Sequence, residues 1–352
     1  MAEILGLGVT HYPALGRPDN VMAAVLDRVR SSDRVPDALR QPSAWPEAMQ
    51  REWTANADFA AAAAHRQRLV DGFRRVRKAL DDFAPDFVLI FGDDQYENFR
   101  EDGVPPFCVF ALDQIESRPF AKGFMAGGNV WDADPETRVL TEGHPAAGRY
   151  LAGKLIEAGF DTSYAYRMRH ETGLPHAFIN TLLFMDYDRT GLNYPVVPFH
   201  VNCYGSSVLS KRGAFGHLDQ AGAVLADPPG PSPQRCYAIG AATAAALAES
   251  PWRVAMIASS SWSHAFLVEK HHYLWPDVDA DRARYEELRD GQMVQWRALR
   301  TTDIEANGQQ ELLNWVCLAG AMGHLGRRPA WSDFVETYIF NSSKCFAVFP
   351  PA

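Results

Sequence analysis

The 352-residue chain is poor in cysteine. Cys108, Cys203, Cys236, Cys317 and Cys345 are scattered, and no two are spaced as a metal-binding pair. An odd, dispersed set argues against a disulfide framework and for reduced thiols near the core of a cytoplasmic protein. Positive charge is also short: 34 Lys and Arg stand against 43 Asp and Glu, a net charge of -9. Without a basic stripe, neither nucleic acid nor an anionic membrane surface is an expected partner. No apolar run approaches the roughly 18 residues that a membrane-spanning helix needs. The opening residues, MAEILGLGVTHYP, show no basic region ahead of a long apolar stretch, so no signal peptide is expected. No glycine-rich phosphate loop joins a strand to a helix, and no G-x-S-x-G elbow occurs, which leaves nucleotide-dependent and serine-hydrolase readings unsupported. Repeats, low-complexity tracts and flexible linkers are absent too.

What is present is an ordinary globular composition, 47% hydrophobic and 22% charged, enough for a core of normal size. Ile4 to Val9, Phe87 to Phe91, 161 to 167, Val196 to Val201 and Val254 to Ala258 read as strands. Leu69, Phe73, Val76 and Leu80 recur at helical spacing and place a long helix over 57–82, ended by Pro85. Further helices are expected over 143–158, 174–184, 280–299 and 308–323. Another begins at Pro233, capped by Ser232, and runs to about Glu249. Strands alternating with helices imply a single large α/β domain over 1–352, with a central mixed or parallel sheet flanked by helices. Residues 31–56 and 100–141 have no clear period and read as loop or lid excursions. Gly205 to Gly230 reads as a polar, glycine-containing stretch. Ligands of such sheets gather beyond the strand ends, where His11, Asp93 to Glu97 and His264 fall.

Each candidate alone has an ordinary explanation. A histidine at a strand end is commonly a hydrogen-bonded structural group, and Glu311, read into the first turn of a helix after Asn307, complements the helix dipole. His176 can simply start a helix after Pro175. Asp94 and Glu97 can tie down a turn. His65 falls on the polar side of the long helix and is expected to be exposed, His271–His272 read as a solvated pair, and His200 as a core group or pocket wall. His144 and His217 fall in loops. Taken together, two imidazoles and carboxylates at strand ends suit the facial metal site of a non-haem oxygenase.

Six segments in order carry a resemblance: GLGVTHYP, LIFGDDQYENF, LPHAFINTLLF, YPVVPFHVNCYG, MIASSSWSHAF and GQQELLNWVCLAGAM. They resemble the class III extradiol ring-cleavage dioxygenases, the superfamily of the protocatechuate 4,5-dioxygenase β subunit. The resemblance implies His11 and Glu311 as metal ligands, His264 as acid/base and His176 as a second active-site histidine. It further implies Fe(II), a small catechol-like aromatic substrate, O2 and a homo-oligomer, a dimer or larger. The chain departs from the pattern where the family's second histidine ligand follows an Asp. Here Asp93-Asp94 is followed by Gln95, which keeps the charge of the set but offers a harder, weaker oxygen donor, or none. Gln95 is therefore an expected ligand, with Asp94 or Glu97 as substitutes, and Mn(II) or another divalent ion enters as an alternative to iron. A lyase or hydrolase using another ion, or a non-catalytic relative, are the readings that the same residue leaves open.

Overall fold

A computed structural model describes residues 2–121, 123–170, 173–205 and 227–351. Most of the Gly205–Gly230 stretch, with His217, lies outside the described residues. The strands, in chain order, are β1 (Ile4–Val9), β2 (Phe87–Gly92), β3 (Phe107–Phe110), β4 (Gln114–Ser117), β5 (Val139–Glu142), β6 (Ser163–Ala165), β7 (Val196–Val201), β8 (Val254–Ser259), β9 (Trp331–Val335) and β10 (Lys344–Phe349). The helices are α1 (Ala24–Arg30), α2 (Glu47–Ala55), α3 (Ala60–Phe83), α4 (Pro145–Glu157), α5 (His176–Met185), α6 (Pro233–Ala248), α7 (Val278–Arg289), α8 (Thr301–Ala306) and α9 (Leu312–His324).

Eight strands form one sheet in the order β6-β3-β7-β2-β8-β1-β10-β9, and β4 and β5 pair in a separate hairpin. β7, β2, β8 and β1 run parallel to one another; β3 and β10 flank them antiparallel. The four parallel strands are buried along their whole length. Helices therefore cover both faces, as unbroken apolar strands require. α3 and α5 pack on one face and α4, α6 and α9 on the other, giving two apolar cores. α6 and α9 lie backbone to backbone: a Cβ at Gly240 would stand 1.8 Å from the Cys317 carbonyl oxygen, and one at Gly320 1.9 Å from that of Tyr237.

The α/β class and the mixed sheet are as expected, but several elements differ. The 100–141 excursion carries the structured β4–β5 hairpin. The 280–299 helix ends at Arg289, before Gly291 at φ +70, and continues as a 3₁₀ turn over Met293–Ala298. Its cap is Asp277, which accepts from the Ala280 amide. α9 starts later than read, so Glu311 is its N-cap and lies outside the first helical turn. β9 and β10, in a tail to which the sequence assigned no strand, extend the sheet. Among the described residues, no helix is long and apolar enough to cross a membrane, and all five cysteines are free and buried.

Candidate active site

Because four neighbouring strands run parallel, their carboxyl ends open onto one edge of the sheet. Two residues past β1 comes His11; just past β2 come Asp93 and Gln95; past β7 comes Tyr204; from the last residue of β8, Ser259, the chain runs on to His264. The N-cap of α9 brings Glu311 to the same place. His11, Asp93, Tyr204, His264 and Glu311 are all buried, and Gln95 is partly so.

His11 sets the geometry. Its Nδ1 lies 3.0 Å from the Ser259 carbonyl oxygen, which can only accept, so Nδ1 carries the proton and Nε2 is bare. Burial, reinforced by His176 and His264, holds the imidazole well below its usual pKa and hence neutral. Facing Nε2 at 3.4 Å is Oε2 of Glu311, and Asp93 Oδ1 is 3.9 Å away. Glu311 Oε2 is buried with no hydrogen-bond partner. With Glu311 ionised, two electron-rich atoms thus face each other across a short gap. Burial and the charge of Asp93 push the Glu311 carboxyl well above its usual pKa, and burial lifts Asp93 to about 6. A divalent cation removes that penalty. His11, Asp93 and Glu311 each offer a ligand atom, all within 4.8 Å of one another, so the residues present fit a metal ion.

Gln95 sits beside this group in an unexpected orientation. Its Nε2 is 3.0 Å from Glu311 Oε1, 3.0 Å from the Tyr204 hydroxyl and 3.4 Å from Asp93 Oδ2. Carboxylates only accept, so the amide nitrogen faces the cluster. The Tyr204 hydroxyl donates to the same Glu311 Oε1. Gln95 and Tyr204 together occupy that oxygen and leave Oε2 open. Asn314, one turn along α9 from Glu311, donates to Asp93 Oδ1 at 3.1 Å.

The two substitutes weighed for Gln95 are engaged elsewhere. Asp94 accepts from the amides of Glu97, Asn98 and Phe99 and so closes the turn. Glu97 holds His176, accepting from its backbone amide at 2.9 Å and lying 2.8 Å from Nδ1. Asp93, which sequence reasoning passed over, is the nearby carboxylate. Strand alternation carries the signal: Leu89 and Phe91 face α9, and Asp93 and Gln95 continue that side, whereas Asp94 points away. Tyr204 and Asn314 were also missed, and both owe their place to long-range packing.

His176 opens α5 with its ring edge on His11, centroids 5.1 Å apart. Burial alone would lower its pKa, but the Glu97 charge and hydrogen bond overcome that and raise it to about 10. His264 is the opposite case. Its Nδ1 is 3.0 Å from the Trp262 carbonyl oxygen, its Nε2 is 3.4 Å from Glu311 Oε1, and burial lowers it to about 3. Both line a cavity of about 840 Å³ with His11, Gln95 and Glu311. Residues of the 100–141 excursion line this cavity, while none of 31–56 does. The remaining described histidines are not among the residues that line it. His65 is buried rather than exposed, packed against Tyr12 and Phe340. His144 caps α4, and His200 is a core residue. His271 and His272 are partly buried.

Residues 223–347 match the family model described as the catalytic LigB subunit of aromatic ring-opening dioxygenase. That span holds His264 and Glu311; His11 and Asp93 precede it. The chain is similar to a 2,3-dihydroxyphenylpropionate/2,3-dihydroxicinnamic acid 1,2-dioxygenase of Rhodococcus jostii (strain RHA1), 27% identical over 54% of this chain and 48% of the relative. Proteins of the same name match from Paraburkholderia xenovorans (strain LB400), at 31% identity over 47% of this chain and 44% of the relative, and from Comamonas testosteroni, at 25% over 66% and 58%. The chain spans about half the length of the first two of these curated relatives. The resemblance read from the six sequence segments is borne out.

Proposed function

We propose that this chain, which carries the LigB region of the class III extradiol dioxygenases, is a non-haem, metal-dependent dioxygenase. It opens a catechol-like ring by placing both atoms of O2 across a carbon–carbon bond next to the diol. The observation that carries the reading is the bare His11 Nε2 and the partnerless Glu311 Oε2, 3.4 Å apart at the strand ends with Asp93 beside them.

In this reading His11, Asp93 and Glu311 hold the ion. A divalent metal bound there supplies Lewis acidity and, where redox-active, the electrons that let O2 react with a catecholate. Fe(II) is the ion the family resemblance implies. One imidazole and two carboxylates are a harder donor set than two imidazoles and one carboxylate, so Mn(II) competes with it. Gln95 and Tyr204 orient Glu311 by occupying its other oxygen, a supporting role that tunes a metal site as strongly as some ligands do.

The two histidines divide the proton work. His264 donates a hydrogen bond from Nδ1–H to the Trp262 carbonyl, leaving Nε2 to accept a proton from a catechol hydroxyl. His176, held by the Glu97 carboxylate, keeps its proton and can donate it or face a developing negative charge. Neighbouring groups pushed in opposite directions are the pattern of an acid/base pair.

Metal analysis of the protein purified without air tests the reading. About one Fe or Mn per chain is expected, and Asp93→Ala and Glu311→Ala should each lose it while remaining folded by circular dichroism. A folded wild type that takes up no divalent ion would overturn the proposal.

A further inference from the structure

The cavity is much larger than the group on which the proposed chemistry acts. It measures about 840 Å³, whereas a cavity of ~150 Å³ already holds a benzene ring. The cluster of His11, Gln95, His176, His264 and Glu311 forms one part of the wall. Apolar side chains and backbone from distant segments form much of the rest: Val25, Pro119, Ala121, Met125, Leu174 and Phe266. Pro119, Ala121 and Met125 belong to the excursion that carries the β4–β5 hairpin, so half of this named wall comes from that one excursion.

The charges of this outer wall are already used. Among the described lining residues outside that cluster and the Glu97 that holds His176, the charged ones are Glu116 and Arg118. Each is paired across the hairpin, Glu116 with Arg138 at 3.1 Å and Arg118 with Glu136 at 2.8 Å. A ligand carboxylate entering here would give up water against an apolar wall and gain little from Arg118, a half-exposed guanidinium already paired with Glu136. An uncharged apolar group would gain from the same transfer in proportion to the area it buries.

We infer that the substrate is a catechol carrying a bulky, uncharged, apolar substituent of about the size of a second ring. The inference rests on the ring-cleavage reading above and differs from it in naming the substituent. The names of the similar proteins concern a three-carbon acid side chain; this wall suits a different group.

Anaerobic calorimetry with the metal-loaded full chain tests it, using catechol, 2,3-dihydroxyphenylpropionate and 2,3-dihydroxybiphenyl as probes. 2,3-Dihydroxybiphenyl should bind at least tenfold more tightly than either of the others. Ala121→Trp and Leu174→Trp, which fill the outer wall from two separate segments, should each erase that preference, with the loss for the biphenyl at least tenfold greater than for catechol. Equal binding of the three probes, tightest binding of the propionate, or variants that weaken all three alike would overturn the inference and leave the ring-cleavage reading standing. Failure of all three to bind the metal-loaded protein would overturn both.

Discussion

At the scale of single residues, the centre of the site is the exchange between Asp93 and Gln95. The amide stands where the family resemblance places a histidine, yet its nitrogen is turned to the carboxylates, and Asp93 offers the third candidate ligand atom. Gln95→Ala and Tyr204→Phe each remove one donor from Glu311 Oε1. Each should weaken metal affinity by about 10- to 100-fold, the range typical of supporting residues, while stoichiometric binding survives at high metal concentration; titration of the apoprotein checks it. His11 and Glu311 were legible in the sequence through the resemblance of their segments to the dioxygenase family, and His11 also through its place just past an apolar strand. Asp93 was legible only through alternation along β2, and Tyr204 was not, since nothing local tells that its hydroxyl meets a residue 107 positions away.

Lys344 is a second residue-scale case, outside the metal cluster. It is fully buried on β10, its ammonium 3.5 Å from the Tyr12 ring centroid and donating to the Phe340 carbonyl at 2.8 Å. Burial pushes it well below its ordinary 10.5, with Glu52 and Asp281 offsetting only part. A base depressed in the folded state leaves the unfolded chain holding more protons, so its contribution makes stability rise with pH from the depressed value up to the ordinary one. Lys344→Met should lose that part of the slope, read from thermal melts taken from neutral to alkaline pH.

At the scale of elements, long periodic helices and apolar strands were readable, and short or late ones were not. α3 shows its period over six turns, whereas α8 has six residues and no face of its own. β10 reads as a strand only once β1 is known to offer an edge for antiparallel pairing. The start of α9 shifted because Gly308 at φ +66 and the turn after it place Glu311 at the cap. That shift matters for function, since it aims the carboxylate into the strand-end site. The α6–α9 contact fixes how closely the two helices approach each other. Gly240→Val would drive a side chain into the Cys317 carbonyl and should cost at least about 1–3 kcal/mol, seen as a lower melting temperature and weaker metal binding together.

At the scale of the molecule, the sheet order converts residues spread over three hundred positions into one cluster. Four parallel strand ends, a helix cap and an excursion meet at a single edge. The sequence indicated the four parallel strands and a site beyond their ends; most of the flanking strands, the strand order and the depth of the cavity depend on packing that no local pattern encodes. The measurement that bears most directly on the whole is oxygen consumption by the chain loaded with Fe(II) or Mn(II) and given 2,3-dihydroxybiphenyl or catechol. The expected result is one O2 consumed per ring opened, abolished in Asp93→Ala and in Glu311→Ala. A folded, metal-loaded protein that consumes no oxygen with any catechol, or uptake undiminished in both variants, would contradict it.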